Sequence, residues 1–237
     1  MKLPALLLSI SSLALLSGCA SVSVKSESRT GAQPVRKPVR IYVADFDAAH
    51  GDFKIVGDEA RNPALFKKHA EKLISDYLVK NLSAHVAPAE AVKDAKGRVR
   101  GQGWLVTGQF VRVYTGSRVL RAGVGLGAGG TKMETRVQVR DLASRGRPFM
   151  TFETTGGSNA MPGLLTSTGP VSAALSMTTQ AMMGVSDDAA RTSRMITGAL
   201  SEYLAARGWI AKDKVYESKK PGQYQIVHEQ WIGNSSR

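Results

Sequence analysis

KMETRVQVRDL, residues 132–142, decides the fold. Met133, Thr135, Val137 and Val139 alternate with Lys132, Glu134, Arg136, Gln138 and Arg140. Neighbouring side chains on a strand point to opposite faces, so this alternation marks a strand with one buried and one wet, basic face, as in an antiparallel sheet. A helix would repeat its apolar positions every three or four residues instead.

Outward from that strand, Arg147 to Thr155 reads as its pairing partner, across a turn holding Ser144 and Gly146. Trp104 to Tyr114 (WLVTGQFVRVY) reads as apolar on both faces apart from Arg112, the pattern of a central strand. Val39 to Phe46 (VRIYVADF) reads as the first strand. Asn62-Pro63 opens a helix, with asparagine as cap and proline at the first helical position. Phe66, Ala70, Leu73, Ile74, Tyr77 and Leu78 give that helix one buried face, and it fades near Ser83. Ser186-Asp187-Asp188 reads as the cap of a second helix. Its buried stripe is Ala189, Ile196, Ala199, Leu200, Tyr203 and Leu204, and Gly208 ends it. The order β-α-β-β-β-α predicts an α+β fold, a mainly antiparallel sheet with two helices packed on one face.

The amino terminus carries a different message. Lys2 precedes an apolar run from Ala5 to Leu16, followed by Ser17, Gly18 and Cys19. A short charge, an apolar stretch of roughly 7–15 residues and a small-residue cleavage site make a secretory signal peptide. Leu16-Ser17-Gly18-Cys19 resembles the lipobox of bacterial lipoproteins. That resemblance implies cleavage between Gly18 and Cys19, an S-diacylglyceryl group on the Cys19 thiol and an acyl chain on its new amine. Each buried methylene contributes about 0.8 kcal/mol, so three chains would anchor almost permanently. Cys19 is the only cysteine, which excludes an internal disulfide. Ala20 follows it; among Gram-negative lipoproteins an aspartate there is the usual inner-membrane retention signal, so alanine resembles outer-membrane sorting.

Four segments follow: a lipoprotein signal peptide (1–18), a flexible tether (19–38), a periplasmic α+β domain (39–211) and a polar tail (212–237) with a short strand expected at Gln223 to Val227. The tether is rich in Ser, Pro, Thr, Gly, Arg and Lys, and a free chain of that length reaches on the order of 25 Å. Within the domain, Thr154 to Ser186 is an uncharged Met/Gly-rich insertion of 33 residues that contains Met161, Met177, Met182 and Met183. Proline and glycine interrupt it, so it is no spanning helix, although Pro170 to Gly184 could form a short one. It could pack on the domain, on a partner or on the membrane.

The formal charge is +13. Ten basic residues lie between Arg98 and Arg147, against Glu134 and Asp141 alone. In an exported protein such a stretch fits anionic lipid, lipopolysaccharide phosphates or an acidic envelope protein better than nucleic acid. A solvated basic face that keeps the domain soluble is the plainer reading. The candidate contacts are Arg112, Arg118, Arg121, Lys132, Arg136 and Arg140.

Gly108-Gln-Phe-Val-Arg-Val-Tyr-Thr-Gly-Ser-Arg-Val-Leu-Arg, the glycine run to Gly130 and Val137-Gln-Val-Arg-Asp141 together resemble an uncharacterised family of bacterial lipoproteins. That family is defined as a domain of unknown function (4410-like), and the resemblance covers about Val39 to Trp209. The element order is also similar to the periplasmic domain of the curli-secretion lipoprotein and to the amino-terminal domain of the Tol-system propeller protein. Neither resemblance implies a catalytic residue.

Other constellations are weaker. Gly125-Leu-Gly127-Ala-Gly-Gly130 satisfies GxGxxG, but a strand follows where a dinucleotide site needs a helix. Asp45, Asp47, His50 and Asp52 could offer oxygen ligands to a hard cation, yet a strand entering a loop is commonly polar. No GxSxG occurs, and His50, His69, His85 and His228 are scattered. The expectation is a non-catalytic outer-membrane lipoprotein facing the periplasm, an accessory or binding module with no metal and no cofactor beyond its lipid. A subunit of an oligomeric outer-membrane channel or secretion component is the alternative.

Overall fold

The computed structural model describes residues 21–93, 99, 101–116, 130–144, 147–157 and 170–218. Among them, strands β1 (Ser21–Ser28), β2 (Ile41–Ala44), β3 (Asp52–Lys54), β4 (Ala89–Val92), β5 (Trp104–Tyr114), β6 (Lys132–Asp141) and β7 (Met150–Gly157) form one sheet. Helices α1 (Pro63–His85) and α2 (Pro170–Ala206) accompany it. The path across the sheet is β1-β7-β6-β5-β2-β4, with β3 pairing on β5. The α+β class holds, but the sheet is mixed. β1–β7, β7–β6 and β6–β5 are antiparallel, while β5–β2, β2–β4 and β5–β3 are parallel. The parallel half follows from α1, a crossover that returns the chain to β4 in the direction of β2. β3 and β4, three and four residues long, are too short to carry a visible period.

The β6 alternation does what its pattern predicts. Met133, Val137 and Val139 are fully buried beneath the helices, and Thr135 there shares a 2.8 Å hydroxyl contact with Thr154 of β7. Val106, Gly108 and Phe110 stand opposite Val139, Val137 and Thr135, so β5 supplies the same core face. Gly108 is required by packing. A Cβ there would overlap Cε1, Cδ1 and Cζ of the Phe46 ring, which lies across this strand. The Asn62 side chain caps α1 by accepting from the Leu65 N–H at 3.0 Å. Phe66, Ala70, Ile74, Leu78 and Leu82 of α1 meet the core, as do Ala189, Ile196, Ala199, Leu200, Tyr203 and Leu204 of α2.

The expected flexible tether is overturned over residues 21–28. Val22 and Val24 insert into the core at 2% and 6% exposure, and Ser23 and Lys25 face outward. Period-two alternation was present in Ser-Val-Ser-Val, but the surrounding polar composition masked it. Residues 29–34 are held as well. Gln33 donates to the Phe149 carbonyl at 3.2 Å and accepts from the Tyr203 hydroxyl at 3.0 Å, and Arg207 donates to the Pro34 carbonyl at 2.7 Å. Beneath them Trp104, Phe149 and Tyr203 pack with ring centroids 4.9–5.7 Å apart.

Two further boundaries move. α2 begins at Pro170 and passes unbroken through Ser186-Asp187-Asp188, so that triplet is no cap. Asp188 is buried and bonded to Thr131 and Arg191. The domain also continues past 211. The Tyr216 N–H donates to Ser201, the Ser218 N–H donates to Glu202, and Tyr216 stacks on His85 at 4.6 Å. The expected strand at Gln223 to Val227 lies outside the described residues.

Candidate interaction face

One face of the sheet carries the helices; the other displays the polar half of each strand. Two rows of side chains cross that open face. In the first, Lys25 on β1, Glu153 on β7 and Arg136 on β6 stand at directly paired positions. Glu153 accepts from Arg136 Nη2 at 2.7 Å and from its Nε at 3.0 Å, and Lys25 Nζ approaches to 3.5 Å. In the second, Asp52 on β3, Arg112 on β5 and Glu134 on β6 are likewise opposite one another. Arg112 lies 3.6 Å from Asp52 and 3.4 Å from Glu134, Lys132 Nζ lies 3.1 Å from Glu134, and the Thr155 hydroxyl donates to Glu134 at 2.8 Å.

Opposite charges on adjacent strands attract, each exposed pair contributing about 0.2–1 kcal/mol. Glu134 is the best enclosed member. Burial works to raise its carboxyl, but the Thr155 hydroxyl and the Lys132 and Arg112 charges outweigh that and hold it below its ordinary range. The rows thus bring together Arg112, Lys132 and Arg136 from the expected contact set, each already facing a carboxylate. Arg140 stands apart on β6, half-buried opposite Leu105, with its enclosed Nε lacking a hydrogen-bond partner among the described residues. Arg118, Arg121, Gly18 and Cys19, and the glycine run from Gly125 to Gly129, lie outside the described residues.

Sequence windows took the cations strand by strand and missed Glu153 and Lys25, as well as the pairing of Asp52 with Arg112, because these contacts cross strands. The only local signal was the alternation Thr151, Glu153, Thr155, which places that acid on the face opposite Met150 and Phe152.

Asp47, Thr107, Gly108, Gln109, Arg136 and Gln138 line a shallow cleft of about 110 Å³ on this face. Small-molecule pockets usually enclose about 300–1,000 Å³. Asp47 is occupied locally. His50 lies 3.0 Å from its carboxylate and the Ala49 N–H donates to it at 2.7 Å, which together hold its carboxyl below the usual range. Asp52 turns instead to Arg112. Among the described residues no three His, Cys, Asp or Glu side chains converge as a metal site would require. His85, the most enclosed of the described histidines, is pushed down by burial.

The arrangement defines a class: an α+β domain with a mixed sheet, helices on one face and a charge-paired face that the other described residues leave open. The chain belongs to the family described as a domain of unknown function, DUF4410, whose pattern matches residues 41–184. No curated protein matches it significantly. Among solved structures it is similar to the PelC dodecamer from Paraburkholderia phytofirmans, with a TM-score of 0.36 and 9% identity, over 70% of this chain and 98% of that one. A point variant of the same protein gives a TM-score of 0.34 and 10% identity, over 70% and 96%.

Proposed function

We propose that the protein is a non-catalytic, outer-membrane lipoprotein, anchored through acyl chains on Cys19, whose domain works in the periplasm as an envelope accessory or binding module. The observation that carries this reading is the join between the lipobox and the fold. Ala20 alone separates Cys19 from Ser21, the first residue of β1. Two residues span at most about 7 Å of chain, so the lipid would hold the domain close against the bilayer. The exposed guanidinium edges of Arg112 and Arg136, each about half accessible, are then the groups offered to an anionic partner. A face whose cations are already opposed by Glu134 and Glu153 suits selective, salt-sensitive contact rather than indiscriminate adhesion.

Cell fractionation with intact-mass measurement of the amino-terminal peptide tests the anchor. Acyl chains on Cys19 and sedimentation with the outer membrane are expected, and Cys19→Ala is expected to abolish both. A Cys19→Ala protein that still sediments with membranes would remove the lipid from the account.

A further inference from the structure

Residues 34–40 read Pro-Val-Arg-Lys-Pro-Val-Arg, two Pro-Val-Arg steps around Lys37, just ahead of β2. Pro34 and Pro38 are buried, whereas Val35 and Val39 stand 87% and 63% exposed, with Arg36, Lys37 and Arg40 exposed beside them. Among the described residues three large apolar side chains are exposed, and two of them lie on this segment. A lone exposed valine needs no explanation, but two interleaved with cations on a fixed backbone make a patch. The backbone is held at both ends. Arg207 donates to the Pro34 carbonyl at 2.7 Å, and the Trp104 N–H donates to the Arg40 carbonyl at 3.0 Å. Each proline also fixes its own φ. A partner would thus meet a surface that is already ordered, which lowers the cost of binding. The hollow that Lys37 and Val39 share with Gln102 and Asp141 holds about 10 Å³, far below a small-molecule pocket, so the patch suits a macromolecule.

The carboxylates that would answer these cations must come from another molecule. Arg40 faces Glu90 at 2.8 Å, but Arg36 bonds to the neutral amide of Gln102 at 3.3 Å. Neither Arg36 nor Lys37 has a carboxylate within ion-pair distance among the described residues; Asp141 accepts from the Ala143 N–H instead. Outside the described residues the sequence holds two acids, Asp94 and Glu229, amid ten lysines and arginines. A second copy of a chain with net charge +13 would be repelled. Position narrows the choice further. Arg40 lies beside Gly103 and Trp104, at the end of the sheet where β5 begins and β6 finishes. Ser21 pairs with Gly157 next to Thr131, where β6 begins, and the ten residues of β6 separate the two ends by about 30 Å. We infer that residues 35–40 dock an acidic segment of another envelope protein, its carboxylates on Arg36 and Lys37 and its apolar side chains on Val35 and Val39. That the partner is a protein and not the bilayer rests on the anchoring reading above, since a lipid on Cys19 holds the opposite end of the sheet at the membrane. The cations steer the partner in, and the valines slow its departure.

The probe is a fluorescein-labelled peptide, Glu-Leu-Glu-Glu-Leu-Glu, with Gln-Leu-Gln-Gln-Leu-Gln as its neutral counterpart. The full-length lipidated protein is held in phosphatidylcholine nanodiscs at physiological salt, and binding is read by fluorescence anisotropy. The acidic peptide is expected to bind and the neutral one to stay free. Arg36→Glu with Lys37→Glu should weaken binding about tenfold or more. Val35→Ser with Val39→Ser, which leaves the charge alone, should weaken it about threefold or more. Lys68→Glu with Lys80→Glu makes the same charge change at exposed positions of α1 and should leave it unmoved. No binding of the acidic peptide, equal losses in the patch and α1 variants, or an unmoved affinity in the valine variant overturns the inference. So does displacement of the peptide by phosphatidylglycerol vesicles, which would give the patch to lipid. The acyl chains on Cys19 are read separately by intact mass, so each of these failures leaves the anchor standing. A Cys19 free of acyl chains overturns the anchoring reading and, with it, the choice of a protein partner.

Discussion

The Thr131 hydroxyl donates a 2.5 Å hydrogen bond to the Asp188 carboxylate, and both residues are buried. The bond fastens the residue just before β6 to the middle of α2. Arg191 donates to the other carboxylate oxygen at 3.1 Å, so each oxygen has a partner. A buried carboxylate keeps its place only with such partners, and losing one leaves a desolvated charge behind.

Thr131→Val keeps the shape and removes the donor. Hydrogen bonds to charged groups contribute about 1.5–3 kcal/mol, and a loss of that size in urea unfolding is expected. An unchanged midpoint would mean that Asp188 is satisfied without Thr131.

Acid titration should separate Asp188 from Glu134 by sign. Burial raises the Asp188 carboxyl, against the opposing effects of Thr131 and Arg191. Between its ordinary and its raised value the native state holds the more protons, so the Asp188 contribution to stability falls as pH rises through that window. Glu134 is held below its ordinary range, so its contribution is present above the unfolded value and disappears as pH falls through the folded one. Denaturant unfolding from neutral to acidic pH is the check. Asp188→Asn should gain on the parent as pH rises, and the deficit of Glu134→Gln should vanish on acidification.

Gly108→Ala places a methyl group inside the Phe46 ring, which is fully buried and lies 6.1 Å from the Phe110 ring centre. Overpacking of this kind costs about 1–3 kcal/mol or more. Adding Phe46→Leu should recover part of that cost, giving a favourable coupling in a double-mutant cycle. Independent, additive losses would count against the contact.

Val22→Ser distinguishes a strand from a tether. A free linker would be indifferent, whereas Val22 at 2% exposure should lose about 2 kcal/mol on the scale for burying an aliphatic side chain.

Much of the fold was legible in short windows. Asn62-Pro63 announced α1, the Met133–Val139 alternation announced β6, and the α2 stripe from Ala189 to Leu204 was placed correctly. The failures have physical causes. In β1 only Val22 and Val24 carry the apolar signal among polar neighbours, so composition outweighed period. Ser186-Asp187-Asp188 has the residues of a helix cap, but Asp188 spends its oxygens on Thr131 and Arg191. The cations of the open face were visible in sequence. Their neutralisation was not, since Arg136 and Glu153 are neighbours only after the sheet has formed.

The pairing of β1 with β7 also determines how the sheet bears mechanical load. Ser21 and Gly157 are matched at one end and Ser28 and Thr151 near the other, in antiparallel register. A pull on the chain ahead of Ser21 runs along β1, at right angles to the hydrogen bonds between these strands. Those bonds are strained together in shear instead of being unzipped one after another. The domain thus meets tension from its amino terminus through the whole length of a strand, with Val22 and Val24 as apolar cleats.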